Sequence, residues 1–335
     1  MPAEFEPHAA TWLSWPHNEQ SWPGKIEKIP PIWAEMVHHL TRTGEFVHIN
    51  VTGEAMAAGV ASLLSESGVP QDMYLLHPFP TNDAWCRDHG PIFVRNDRTG
   101  EIAVTDWEFN KWGGKYPPWD LDNAIPGRIA QRFRLRHFKP GIVLEGGSID
   151  VNGRGTLITT AQCLLNPNRN PHLQQKDIER YLTDYLGADH FIWLHDGIEG
   201  DDTDGHVDDI TRFVDPKTIV TAVEPDPASP NHEPLQKNLE TLRLARDKDG
   251  SPFRIVELPM PERMVYEDTP LPASYANFYI GNRVVLVPTF GQPRDEQALA
   301  VLRGCFPGRE VIGIYSYDLV WGFGAFHCVS QQQPA

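Results

Sequence analysis

Four apolar runs double back on turn residues, with a helical pattern between each run and the next, and this alternation limits the fold more than any other feature. Residues 92–105 turn at Asn96-Asp97-Arg98-Thr99-Gly100, 149–160 at Asn152-Gly153, 210–223 at Asp215-Pro216 and 278–288 at Gly281-Asn282. Turn formers between β-branched and aromatic runs predict hairpins. The intervening helices are predicted at 124–136 (Ile125, Ile129, Phe133), 175–186 (Ile178, Tyr181, Leu182, Tyr185, stopped by Gly187), 234–246, and 295–303 stopped by Gly304. Apolar spacings of three and four give each helix one buried face. The units recur at roughly 55 to 75 residues, a period that predicts a radial array rather than independent domains, with five units if the chain ends complete one.

The entrances to the runs carry the chemistry. Trp85-Cys86-Arg87-Asp88-His89 precedes the first, Leu144-Glu145-Gly146-Gly147 the second and Asp204-Gly205-His206-Val207-Asp208-Asp209 the third. A last apolar stretch ends in Phe326-His327-Cys328. Asp88, Glu145, His206 and Cys328 therefore occupy one recurring position. If His206 and Asp208 lie on a strand, their i, i+2 spacing turns both to one face. By the same alternation, His327 faces away from Cys328 and is not expected to be the base. A lone cysteine is usually core, but cysteine with histidine is also the pair that covalent catalysis needs, one attacking and the other moving protons.

The joint pattern WCRDHGP, NKWGGKYPP, EGGSI, TDGHVDD and HCVSQQQP, over nearly the whole chain, resembles the agmatine deiminase and bacterial peptidyl-arginine deiminase family of guanidine-modifying enzymes. The resemblance implies an α/β fold, a five-bladed pseudo-symmetric α/β propeller (pentein) of ββαβ units, forming a single catalytic domain over 1–335. It also implies that the Cys328 thiolate attacks a guanidinium carbon, while His206 protonates the departing ammonia and then activates water. A guanidinium is a rigid fork of donors, which suits Asp88 and Asp208 as its holders. Glu145 matches the acid of the family's EGG motif, Trp85 offers a face for the substrate's methylenes, and Asp202 aligns with the acid that meets a distal amine. Two departures stand out. The family commonly reads GGGNIHC where this chain has Gly322-Phe323-Gly324-Ala325-Phe326-His327-Cys328, and asparagine where it has Asp209. The reaction implied is agmatine to N-carbamoylputrescine, with peptidyl-arginine or free arginine as alternatives. No basic residue stands within 203–209, and its carboxylates favour agmatine.

Composition narrows the partners. With 29 basic against 45 acidic side chains the net charge is −16, which repels nucleic acid and attracts a small cationic guanidinium substrate. Cys86, Cys163, Cys305 and Cys328 show no CxxC spacing, as expected in a reducing, cytoplasmic setting. No apolar run approaches a membrane span and the opening residues carry no h-region, so no membrane partner is expected. The partners left are the substrate and, at most, further copies of the chain. Proline-rich stretches at 224–234 and 259–272 read as loops over the pocket or at an interface.

Two other classes fit parts of the sequence. A metal hydrolase would use His195, Asp201, Asp202, Asp204, His206 and Asp208. However, Gly200 and Thr211 occupy the first and twelfth positions of a would-be Ca²⁺ loop and HExxH is missing, so neither metal nor cofactor is expected. A non-catalytic polyamine-binding protein would use the acidic run but has no need of a thiol at 328.

Overall fold

In the computed structural model, which describes residues 1–335, every expected turn closes an antiparallel pair. β1 (His8–Ser14), β2 (Phe46–Asn50) and β3 (Tyr74–His77) are parallel neighbours. β4 (Ile92–Arg95) and β5 (Ile102–Thr105) are antiparallel, and β6 (Arg136–Phe138) adds to β5 in parallel. The same order holds for β7 (Ile149–Val151), β8 (Thr156–Thr160) and β9 (His190–Leu194). It recurs in β10 (Thr211–Asp215), β11 (Thr218–Val223) and β12 (Arg254–Pro259). A small hairpin, β13 (Val265–Tyr266) with β14 (Thr269–Pro270), precedes the next set, β15 (Tyr279–Ile280), β16 (Val284–Thr289) and β17 (Glu310–Tyr315). Finally β18 (Ser330–Pro334) pairs antiparallel with β1, so the two chain ends share the four-stranded sheet β18-β1-β2-β3. Five sheets thus each hold an antiparallel pair and a parallel strand reached over a helix, as parallel crossovers require.

The helices lie close to where periodicity put them, with shifted ends. The helix Gln175–Leu186 buries Ile178, Leu182 and Leu186 and stops at Gly187 in the left-handed conformation (φ 72°). The expected 124–136 helix is shorter, Ile125–Phe133. Arg134 takes a left-handed cap at φ 55°, and Arg136 already belongs to β6. The next helix, His232–Leu244, starts earlier than read, because Pro234 falls in its first turn, where an amide hydrogen has no helical partner to lose. Gly304 does not stop the helix Arg294–Cys305, since its φ stays out of the left-handed region. Two helices outside the pattern, Ile29–Thr41 and Glu54–Glu66, connect β1, β2 and β3. No helix is long and apolar enough to cross a membrane.

The largest apolar cluster packs the helix Ile29–Thr41 under the sheet of β1 and β2 and includes Trp22, Trp33, Trp85, Phe326 and Cys328. The thiol thus belongs to a packed core and also faces a cleft.

Candidate active site

Each functional side chain stands on a short turn just before a strand. Asp88 is in the single helical turn Cys86–His89 before β4, and Glu145 precedes the 3₁₀ turn Gly146–Ser148 before β7. His206 precedes the 3₁₀ turn Val207–Asp209 before β10. His206 and Asp208 are therefore not on a strand as expected. They converge because the tight turn brings Nδ1 of His206 to 4.0 Å from Oδ1 of Asp208. Cys328 likewise sits in a turn, its following residue closing Val329 N–H to Ala325 O at 3.2 Å, before β18.

Gly147 is the focus of this cluster. A Cβ there would lie 2.6 Å from His206 Nδ1, 2.8 Å from Asp88 Oδ1 and 3.0 Å from Asp208 Oδ2. Its N–H donates to Asp88 Oδ1 at 3.0 Å, while Trp112 Nε1 donates to Asp88 Oδ2 at 3.0 Å. Cys328 Sγ is 3.6 Å from Asp208 Oδ2 and 3.0 Å from Asn277 Nδ2. Of ten buried side-chain atoms without a hydrogen-bond partner, five belong here: Glu145 Oε2, both ring nitrogens of His206, Asp208 Oδ1 and Asp209 Oδ2. Buried polar atoms are nearly always paired, so this concentration marks where a polar ligand belongs.

The cluster lies at the inner end of a cleft of about 870 Å³ lined by Trp85, Asp88, Trp112, Asp202 and Cys328. Glu145, His206 and Asp208 lie fully buried behind it. The hairpin β13-β14 of the 259–272 stretch contributes Tyr266, Glu267 and Thr269 to the rim, whereas the 224–234 stretch borders a separate cavity. Trp85 lies tilted against Trp22 with ring centres 5.2 Å apart and meets Trp112 edge-on at 6.3 Å, so it is a packed residue that also faces the cleft. Asp202 is on the wall, accepting from Tyr116 Oη and facing Lys115 Nζ at 3.5 Å. Glu145 Oε1 accepts from Arg169 Nε at 2.7 Å.

His327 does approach the site, contrary to strand alternation, because residues 326–329 form a turn. Its Nδ1 lies 2.5 Å from Asp208 Oδ2 and its Nε2 2.9 Å from Glu4 Oε2, so both nitrogens are engaged between carboxylates.

The electrostatics favour an uncharged thiol and a charged imidazole before substrate arrives. Burial and the carboxylates of Asp208, Asp209 and Asp88 push Cys328 well above the ordinary thiol range. Burial would lower His206, but Asp88, the adjacent Cys163 and Asp208 outweigh it and raise it well above the usual imidazole range. Asp88 is pushed up to about 6 by burial, with Asp208 and Glu145 adding to the effect. Burial would raise Asp208 too, yet His327 holds it below the ordinary carboxylate range. Asp209 is raised well above that range by burial and by Asp208 and Asp201.

The acids of the alternative metal set do not converge. Asp201 accepts from the N–H groups of Gly205 and His206 at 2.9 and 3.0 Å, Asp204 from Arg169 at 2.5 Å, and His195 contacts Thr241. Two other groups, Glu145-Cys163-His206 and Asp208-Asp209-Cys328, do bring ligand atoms within 4.8 Å of one another.

The sequence reading missed Asn277, Trp112, Gly147 and Arg169. Asn277 offered a signal, since it stands two residues before β15 as Cys328 does before β18, and so fills the fifth entrance of the repeat.

The family model described as Porphyromonas-type peptidyl-arginine deiminase matches residues 1–334. The agmatine deiminase of Pseudomonas syringae pv. tomato is 38% identical over 360 residues, covering 100% of this chain and 95% of its own. The solved agmatine deiminase of Enterococcus faecalis superposes with a TM-score of 0.92 at 32% identity, covering 100% of this chain and 95% of its own. An amidinotransferase from Microseira wollei, 12% identical, shares the α/β fold alone, with a TM-score of 0.56 and coverage of 99% and 96%.

Proposed function

The chain belongs to the Porphyromonas-type peptidyl-arginine deiminase family, and from that membership we propose that it is an agmatine deiminase, a hydrolase converting agmatine and water to N-carbamoylputrescine and ammonia. The observation that carries this reading is the convergence of Cys328, His206, Asp88 and Asp208 at the inner end of the cleft.

A guanidinium entering that space neutralises the carboxylates that hold the thiol up, so the cation itself favours the thiolate. Sulfur bonds to the guanidinium carbon, and the imidazolium of His206 gives its proton to one departing nitrogen, which leaves as ammonia. A cationic amidino thioether remains. The now neutral His206 takes a proton from water as its oxygen bonds to the same carbon. The carbon–sulfur bond then breaks, the thiolate returns, and the protonated urea loses its last proton to solvent. One imidazole thus serves first as acid and then as base, and Asp88 with Asp208 holds the charge throughout.

Agmatine rather than arginine is favoured by the state of the lysines in the cleft. Lys115 donates to Asp202 O at 2.6 Å and Asp204 Oδ1 at 2.9 Å, and Lys111 is paired with Asp83 at 3.0 Å and Asp122 at 3.3 Å. Neither leaves a free cation for an α-carboxylate, while Glu19 and Glu267 on the rim suit a distal ammonium. Ammonia release from agmatine, arginine and a C-terminal arginine peptide tests this. Agmatine should lead by about a hundredfold or more in kcat/KM, and an arginine preference would overturn the substrate assignment.

For the molecule as a whole, we read the five sheets as blades of one pseudo-symmetric propeller and one catalytic domain over 1–335. The repeated strand order and the closing pair of β1 with β18 support this. The four unpaired cysteines suit the cytoplasm.

A further inference from the structure

We propose that Asn277 is a catalytic residue, its side-chain amide holding the sulfur of Cys328, and that Asp209 is the positioning residue that aims that amide. The proposal rests on Cys328 being the nucleophile of the reaction above. Asn277 is buried, and its side chain bonds the thiol segment through both its oxygen and its nitrogen. Its Oδ1 accepts from the backbone N–H groups of Ala325 at 3.2 Å, His327 at 3.1 Å and Cys328 at 3.2 Å, which fixes the turn carrying the thiol. Its Nδ2 has two hydrogens and two partners, Cys328 Sγ at 3.0 Å and Asp209 Oδ1 at 2.8 Å. With Oδ1 committed to three N–H groups, the amide cannot flip, so a donor always faces the sulfur.

This donor opposes the other groups around the thiol. Asp208 and Asp209 destabilise a negative sulfur, whereas an N–H aimed at it favours that charge. Burial and the neighbouring Asp208 and Asp201 raise Asp209 well above the ordinary carboxylate range, so it places less negative charge beside the sulfur than an unperturbed carboxylate would. Its Oδ1 accepts from Asn277 Nδ2, as the side-chain oxygen of the amide commonly found at this position in the family would.

The test separates thiol holding from turn anchoring. Asn277→Asp has the same shape and retains an oxygen for the three N–H groups but lacks the amide donor. On the free enzyme, alkylation of Cys328 by iodoacetamide at a fixed alkaline pH, followed by peptide mass spectrometry, should slow about tenfold or more. With agmatine, kcat should fall by about tenfold to a hundredfold at a KM changed by less than about threefold. An unchanged alkylation rate would overturn the proposal, and because the new carboxylate by itself disfavours the thiolate, a slowed rate counts in favour only together with slower alkylation in Asp209→Ala. Should Asn277→Asp fail to fold, Asp209→Ala decides. It leaves the Oδ1 bonds in place and removes an acid, which by charge alone would raise thiol reactivity. The proposal requires slower alkylation and lower kcat, recovered by Asp209→Asn, and unchanged or faster alkylation in Asp209→Ala would refute it. Because alkylation is read without substrate, a wild-type enzyme inert toward agmatine would refute the deiminase reading while leaving the role of Asn277 to be judged independently.

Discussion

A thiol set among carboxylates is a poor nucleophile until a cation arrives, and this ties reactivity to the charge of the substrate at Cys328. Cationic haloacetamidine should therefore alkylate Cys328 far faster than neutral iodoacetamide at neutral pH. Equal rates would mean that the thiolate is already formed. Cys328→Ser should abolish turnover while agmatine binding stays measurable, and an acid-quenched reaction should show the amidino adduct on Cys328 rather than on the fully buried Cys86 or Cys163. Since the thiol is raised and Asp88 is pushed up to about 6, both must lose protons for productive binding, so kcat/KM should rise across neutral pH with a slope of about one or more. The rise ends where His206 gives up its proton, above the usual imidazole range. A flat profile through neutrality would contradict the neutral-thiol ground state. At this scale Asp88, Glu145, His206 and Cys328 were legible because an ionisable or reactive group before an apolar run is conspicuous. Asn277 stands at the same kind of entrance, but an amide there carries no charge and was passed over. The pairing of Asp202 with Lys115 was hidden too, the two being far apart along the chain.

Turns rather than strands determine where these groups point. The strand alternation that excluded His327 and paired His206 with Asp208 misjudged the geometry at both places, because the backbone tightens into a turn just before each strand. The hairpins themselves were legible from their turn residues, which specify local backbone shape. Helix ends were less so, since Arg134 adopts a left-handed cap that its side chain does not announce. Gly147 shows how narrow the tolerance is in such a turn. A methyl there would meet the buried His206, Asp88 and Asp208 within 3.0 Å and displace them, so Gly147→Ala should lower stability by about 1 to 3 kcal/mol and kcat/KM by about a hundredfold or more, comparable to loss of positioning by about an ångström. Near-normal kcat/KM in that variant would mean that the placement of His206, Asp88 and Asp208 does not set the rate.

Across the whole molecule, one N-terminal carboxylate joins segments from four of the five sheets. Glu4 Oε1 accepts from Arg212 at 2.9 Å and from the N–H of Ile280 at 2.8 Å, and Oε2 from Arg87 at 2.8 Å and His327 at 2.9 Å. Arg212 in turn donates to Asp150 Oδ2 at 2.6 Å, which brings in the remaining sheet. Nothing near Glu4 in sequence foretold this role, since its partners lie 83 residues or more away. Two arginines and an imidazole around a buried acid are stable only while the acid is charged. Burial would raise Glu4, but Arg212, His327 and Arg87 hold it well below the ordinary carboxylate range. Glu4→Gln leaves the buried Arg87 without a carboxylate partner and should lower unfolding free energy at neutral pH by about 3 to 5 kcal/mol. In the unfolded chain Glu4 takes up its proton near 4.5 whereas the folded form resists it, so this contribution is complete above that pH and fades as pH falls toward the folded value. Urea denaturation of parent and Glu4→Gln should therefore differ most at neutral pH and converge on acidification. A constant gap, or one below about 1 kcal/mol at neutrality, would show that the charge of Glu4 does not hold the sheets together.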